Sequence, residues 1–455
     1  LTLKRKVLSA MAALAAIVAV AAVTTSASAG TTASGKDVSA DFTTQGGVAP
    51  AFLANARTIP HWSFQYTDPT NGVTYPITMA GSDPRAGGSS TIHTVIVPLK
   101  MHFVAGNQPV AQLNNLGYAG FTATALDHTF DASRRVNDVI SSPMFSSFHY
   151  DADLGGDTGQ VGDAFARAQW NKIGTGYHVQ LANDAVLPTQ TIDVPQDKGL
   201  AYQRPVGAWR TANGMPTDTI TGIADSSWFS SKLQNLINSL HIDSTTTPIF
   251  LTDNVLLYGG HNNYLNCCTL GYHGAGMPIG HGAGSANGNG KQPVQTFIYA
   301  AWTTPGTYSG FLSDYTGDRT APRPTRGLAD IHALSHEVSE FIDDPFVNNA
   351  VQPWQTPTAP QYGCTGVLEV GDPVVGLWYG VNGNNTGAED GYNYYGQYHP
   401  EDEVFAQWFA RGGIDKAPPV GLGLPSWDGR LTYMGPRTTG LGGPYAGFGM
   451  YAQGC

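Results

Sequence analysis

His332-Ala-Leu-Ser-His336-Glu337-Val-Ser-Glu340-Phe-Ile-Asp343-Asp344-Pro345 carries the first glutamate of the chain. All six glutamates fall between Glu337 and Glu403, while 28 aspartates spread from Asp37 to Asp428, so the longer acid is withheld until this stretch. At about 100° per residue, Leu328, Ile331, Leu334, Val338, Phe341 and Ile342 share one arc of a helical wheel, and His332, His336, Glu337, Glu340, Asp343 and Asp344 share the opposite one. The spacing predicts an amphipathic helix, capped at its start by Thr325 or Asp330 and stopped by Pro345, which has no N–H for the ladder. An ordinary solvated polar face is the plain alternative.

His-Glu followed by a ligand-type side chain four residues after the His is the layout of a metallohydrolase helix. Two ligands lie one turn apart, and a carboxylate between them can take a proton from water. Here Glu340 stands where the usual motif has His. Ligands at 332, 336 and 340 together would span roughly 12 Å at about 1.5 Å per residue, too far for one ion. His336 with Glu340 leaves Glu337 in the general-base position, whereas His332 with His336 leaves no carboxylate between them. The expected set is therefore His336 and Glu340 as ligands, Glu337 as catalytic base and a third ligand from Val367-Leu-Glu369-Val-Gly-Asp372-Pro. Glu369 is the first choice, and Asp372, His332, His273 and His281 are further candidates. One His with two carboxylates is a hard, anionic set, for which Zn²⁺ is expected, with Mn²⁺ and Ca²⁺ as alternatives.

The N-terminus reads as a secretory signal over 1–29. Lys4, Arg5 and Lys6 precede an apolar run from Val7 to Val23, and Ser26-Ala-Ser-Ala29 supplies a small-x-small cleavage pattern. The alternative is an uncleaved anchor. The processed protein is expected outside the cytoplasm and off the membrane. A net charge of −11, made more acidic by processing, argues against a nucleic-acid partner. The 21 tyrosines and nine tryptophans fit core packing better than a sugar-binding surface. Four cysteines in an exported chain imply two disulfides. A bridge between the adjacent Cys267 and Cys268 is strained, so each is expected to pair with Cys364 or Cys455, in either combination.

Residues 30–58 read as a flexible leader, 59–320 as a sheet-containing lobe and 321–455 as a lobe with the helix and many loops. His61–Tyr66 and Val73–Thr78 flank Asp68-Pro-Thr-Asn-Gly72, a hairpin signal. Thr94–Phe103 reads as a strand placed at a sheet edge by Pro98. Helices are expected at Ser133–Ile140, Val161–Ile173 and Ser226–Leu240, and a short one at Asp402–Phe409. Strands are expected at Tyr177–Leu181, Pro248–Leu257 and Thr296–Trp302. Gly259 to Gly290, rich in Gly, Asn and His, reads as disordered or as a functional loop pinned by cysteines. The fold class is α+β.

Together with Asp344-Pro-Phe-Val-Asn-Asn349 and Cys364-Thr-Gly-Val-Leu-Glu369, the helix makes the region from Cys267 to about Trp408 resemble the exordium-like, phosphate-induced secreted proteins and their bacterial relatives. That family has no firmly assigned biochemistry. The His336-Glu337 pair with an acidic downstream ligand is also similar to the active helix of zincin-type zinc peptidases. This second resemblance implies a zincin-like, two-lobed domain with a mixed sheet, and a metal-dependent hydrolase acting on a peptide or protein substrate. From another class comes a non-catalytic extracellular protein binding wall polymer or carbohydrate, its helix structural or holding Ca²⁺. Stoichiometric metal, with hydrolysis lost on chelation, would separate the two. A serine hydrolase is disfavoured: no G-x-S-x-G is present, and Ser335 points about 100° away from its neighbour His336 on the same helix.

Overall fold

A computed structural model describes residues 48–104, 109–110, 123–150, 156–203, 220–259, 267–277, 291–304, 330–355, 364–374, 379, 381, 398–411 and 413–414. The signal, most of the leader, His281, Thr325 and Cys455 lie outside the described residues. The architecture is α+β. Among the described residues, no helix is long and apolar enough to cross a membrane.

The central sheet is built from β1 (Ser89–Phe103), β2 (His178–Val186), β3 (Thr246–Asp253), β4 (Gly271–Gly276) and β5 (Gln295–Trp302). Their order is β2-β1-β3-β5-β4. The first four in that order run parallel, and β4 closes the edge antiparallel to β5, with His273 opposite Ile298. Side-chain alternation sorts the apolar residues of the parallel strands to the two faces. Ile96, Ile249, Leu251, Ile298 and Ala300 fall in one core, and Val97, Phe250, Phe297 and Tyr299 in the other. Buried on both sides, these strands read in the sequence as nearly continuous apolar runs.

Three helices cover the sheet: α1 (Val161–Gln169), α2 (Ser226–Ser239) and α3 (His332–Asp343). Leu334, Val338, Phe341 and Ile342 of α3 join the first core beside Val161, Ala164 and Phe165 of α1. A Cβ on Gly162 would come 2.8 Å from Ile342 Cδ1 and 3.0 Å from Val338 Cγ1, so the glycine permits the close crossing of α1 over α3. Phe229, Leu233 and Ile237 of α2 line the second core. Asn349 ties the hairpin His61–Thr67/Thr74–Ala80 to the end of α3. Its Oδ1 accepts from Thr78 N (2.7 Å), and its Nδ2 donates to Thr78 O (2.8 Å) and Asp343 O (2.7 Å).

A second sheet holds, in order, Cys267–Thr269, Val255–Tyr258, Ile220–Asp225, Gly199–Gln203, Ala123–Leu126 and Pro109–Val110. The chain passes between the sheets twice near the site. Pro248–Leu257, expected as one strand, is two: Asn254 adopts φ 56° and hands the chain from β3 to the second sheet. The stretch expected as a loop likewise contains Cys267–Thr269 in the second sheet and β4 in the first, with Leu270 at the switch, where its carbonyl accepts from Ala301 N (2.8 Å). Glycine at three of six positions hides β4 from a propensity reading.

Pro98 lies in a central strand, not at an edge. Ile96 O accepts from Leu187 N (2.9 Å) on one side of β1, and by strand alternation Pro98 faces that same side. There its position falls between Val186 opposite Ile96 and Gln190 opposite Leu99, where one partner strand gives way to the next. No ladder bond is lost to its missing N–H.

All twelve residues of α3 are buried, which excludes the solvated polar face. Truncating Phe341, which is fully buried, should cost about 3–5 kcal/mol by cavity formation. Val186→Ala, at an exposed position, should stay within about 0.5 kcal/mol. Denaturant unfolding of the two variants checks the contrast.

Candidate metal centre

Four chain segments meet on the polar arc of α3. The helix supplies His332, His336, Glu337 and Glu340, and β4 supplies His273. Residues 368–374 bring Glu369 and Asp372, and residues 398–404 bring Glu401 and Glu403; all are buried. Backbone bonds fix the last two segments: Leu368 N donates to Asn349 O (3.0 Å) and Val404 N to Val370 O (2.8 Å). Ser335 Oγ donates to His332 O (2.9 Å) and accepts from Glu401 N (2.9 Å), so this serine is an anchor and not a nucleophile. Asp330, expected as the cap, does not cap α3. Ile331 stands at the N-cap without a side-chain capping bond, and Asp330 instead accepts from Ile331 N (2.5 Å) and His399 N (2.9 Å) and pairs with His399 Nδ1 (2.5 Å).

His336 is held from both ring nitrogens. Nδ1 donates to Glu401 Oε2 at 2.7 Å, and Nε2 faces Glu340 Oε1 (3.1 Å) and Asp372 Oδ1 (3.8 Å). Gly371 N donates to Glu340 Oε1 (3.2 Å), and a Cβ on Gly371 would sit 2.3 Å from His336 Nδ1. Only glycine lets that segment press on the ring. His273 Nε2 donates to the Asp344 carbonyl (3.1 Å), and its Nδ1 faces Glu337 Oε2 (3.3 Å) and Glu340 Oε2 (3.7 Å). His332 Nε2 lies 3.1 Å from Glu401 Oε2, off the line of a good hydrogen bond.

Among the described residues, these carboxylates have only histidines as cationic partners. Burial pushes the carboxyls of Glu369 and Asp372 well above the carboxylate range, and the Glu340 charge adds to it. Burial also raises Glu337 and Glu403. Glu340 and Glu401 go the other way. Burial opposes their ionisation, yet His336 beside Glu340, and His332 with His336 beside Glu401, hold them below the usual range. His336 is raised well above its ordinary value: burial opposes the charge, but Glu340 and Glu401 outweigh it. Such a site demands positive charge.

A divalent cation fits the donors present. His336, Glu340 and Asp372 each offer a ligand atom within 4.8 Å of the other two. Asp372 Oδ1 and both Glu403 carboxylate oxygens are buried without a hydrogen-bond partner. Glu369, the first choice for third ligand, is brought into the cluster but bonds to the Glu340 carboxylate, and Asp372 takes the place beside His336. The strand Cys364–Val367 ends before Glu369, and a short 3-10 turn at Asp372–Val374 carries the aspartate round to the imidazole. Glu401 and Glu403 were not anticipated; the confinement of glutamate to this part of the chain was their signal. Cys268 and Cys364 are both disulfide-bonded, five residues before His273 and Glu369 respectively, so covalent links anchor both approaches to the site.

No family model matches the chain, and neither a curated protein nor a solved structure matches it significantly.

Gly371→Ala removes no donor, yet its methyl group would overlap an imidazole pinned by Glu401. It should cost about 1–3 kcal/mol by overpacking and shift the His336 ring resonances, with the other histidines little moved. Thermal melts and histidine-detected NMR test this.

Proposed function

We propose that the protein is a metal-dependent hydrolase of the zincin-like, two-lobed kind, acting on peptide bonds outside the cytoplasm. What carries the reading is the convergence of His336 Nε2, Glu340 Oε1 and the orphaned Asp372 Oδ1, with Glu337 on the intervening helical position. His336, Glu340 and Asp372 would hold the ion, Zn²⁺ or Mn²⁺. Bound there, it would supply Lewis-acid polarisation of the scissile carbonyl and acidify water.

The remaining work falls to side chains. Glu337 Oε1 lies 4.0 Å from His336 Nε2, next to the ion's place, and burial raises its proton affinity toward that of a working base. Glu337 would take the proton of the attacking water and return it to the departing amine. Glu401 holds His336 in the tautomer that directs Nε2 at the ion, the usual service of an outer carboxylate. An extended peptide is the substrate that suits the neighbourhood: among the described residues β4 pairs with β5 alone, leaving its other edge for strand addition beside Glu337. The disulfide-bonded cysteines and the resemblance to exordium-like secreted proteins agree with export.

Three variants divide the roles. Glu337→Gln should keep the ion at His336 and lose hydrolysis by about 10²-fold or more, the scale of general-base removal. His336→Ala should lose that ion and the activity together, and Asp372→Asn should lower metal affinity by about tenfold or more. Affinity should also fall as pH is lowered, because protons compete for the same donors. Metal content and peptide hydrolysis are the measurements. Full activity in Glu337→Gln would sink the mechanism, and protein that binds no metal would favour the non-catalytic binding role.

A further inference from the structure

Glu340 faces two imidazoles, one with each oxygen. Oε1 lies 3.1 Å from His336 Nε2, and Oε2 lies 3.7 Å from His273 Nδ1. Each ring has its other nitrogen committed as a donor to an outside acceptor: His336 Nδ1 to the Glu401 carboxylate, His273 Nε2 to the Asp344 carbonyl. A carbonyl can only accept, so the proton of a neutral His273 sits on Nε2 and its Nδ1 lone pair points at carboxylate oxygens. A lone pair set against Glu337 Oε2 at 3.3 Å and Glu340 Oε2 at 3.7 Å is repelled by both unless a proton or a metal cation lies between them. Burial opposes a charged ring, yet the two carboxylates hold its proton affinity above the ordinary value. The same holds at His336, where Glu340 Oε1 and Asp372 Oδ1 face the free nitrogen.

The two donor sets are His336, Glu340, Asp372 and His273, Glu337, Glu340; they share Glu340 and nothing else. Neither set within reach of one ion holds both histidines. We infer that the site takes two divalent cations bridged by the Glu340 carboxylate, the second held by His273 Nδ1, Glu337 Oε2 and Glu340 Oε2. This deepens the proposed function and rests on the first ion's place at His336. The buried orphans Asp372 Oδ1 and Glu403 Oε1 and Oε2 point to more positive charge here than the histidines provide. The second set combines one imidazole nitrogen with two carboxylates, which suits Mn²⁺ or Zn²⁺ and not Ca²⁺, an ion of oxygen-only sites. A carboxylate shared between its two oxygens is compatible with the separation of about 3.5–4 Å typical of paired hydrolytic ions. Glu337 then serves both halves, with Oε2 toward the second ion and Oε1 toward the water activated at the first.

The test is a count of ions on the whole protein, stripped with chelator and titrated with Mn²⁺ alone. Equilibrium dialysis with elemental analysis should reach two Mn²⁺ per chain. The electron paramagnetic resonance signal should pass from isolated six-line Mn²⁺ to the broadened spectrum of a coupled pair as loading completes. His273→Asn should bind one Mn²⁺ and keep the isolated spectrum at saturation, its fold checked by circular dichroism. A wild-type count of one, or a count of two retained in His273→Asn, overturns the second ion while leaving the first in place. A wild-type count of zero overturns both readings.

Discussion

Burying negative charge at α3 with only imidazoles beside it among the described residues is the constraint that organises this molecule. Each carboxylate taken out of water costs several kcal/mol unless it is paired, protonated or bound to a cation. The chain places five glutamates and Asp372 in one interior region and answers them with imidazoles. Structural elements that would otherwise be independent are recruited to that end. β4 delivers His273, the glycine at 371 lets the backbone reach the His336 ring, and the 398–404 segment returns to give Glu401. An apolar helix in place of α3 would pack the same sheet face more cheaply.

The helix and its division into apolar and polar arcs were legible because a 3.6-residue period is a local property, written within fourteen consecutive residues. So were the hairpin and the four parallel strands of the central sheet, whereas the second sheet was expected only in the part of Pro248–Leu257 that enters it. What the period could not show was the direction of the polar arc: the same pattern serves a solvated surface and a buried pocket, and the difference lies in Glu401, Glu403 and Asp372, far along the chain. The sequence reading ranks Glu369 ahead of Asp372 and the structure reverses the order, since the choice depends on a turn at Gly371. The strand around Pro98 was misplaced for a related reason. An absent N–H costs a ladder bond only where a partner stands on the side it faces; Pro98 has Leu251 opposite on one side and no registered partner on the side its nitrogen faces.

β4 escaped notice because half its residues are glycine, and its position comes from neighbours and not from propensity. Leu270 and Asn254 are the points where the chain changes sheets, and the bond from Ala301 N to Leu270 O ties the start of β4 to β5. His273 is therefore as firmly placed as the helix residues it faces, although no periodic signal marks it.

The return of residues 398–404 to α3 has a consequence for how the chain assembles. His336 meets Glu401 across 65 positions of sequence and His273 meets Glu337 across 64, so the centre is built almost wholly from long-range contacts, which close late and slowly. During synthesis the helix would emerge well before the carboxylate that orients its histidine, and for that interval it would carry a polar arc with nothing to face. The sheet can form first, from segments all earlier than residue 303. The acidic interior belongs to the last stage of folding, when the C-terminal part of the chain arrives to close over it.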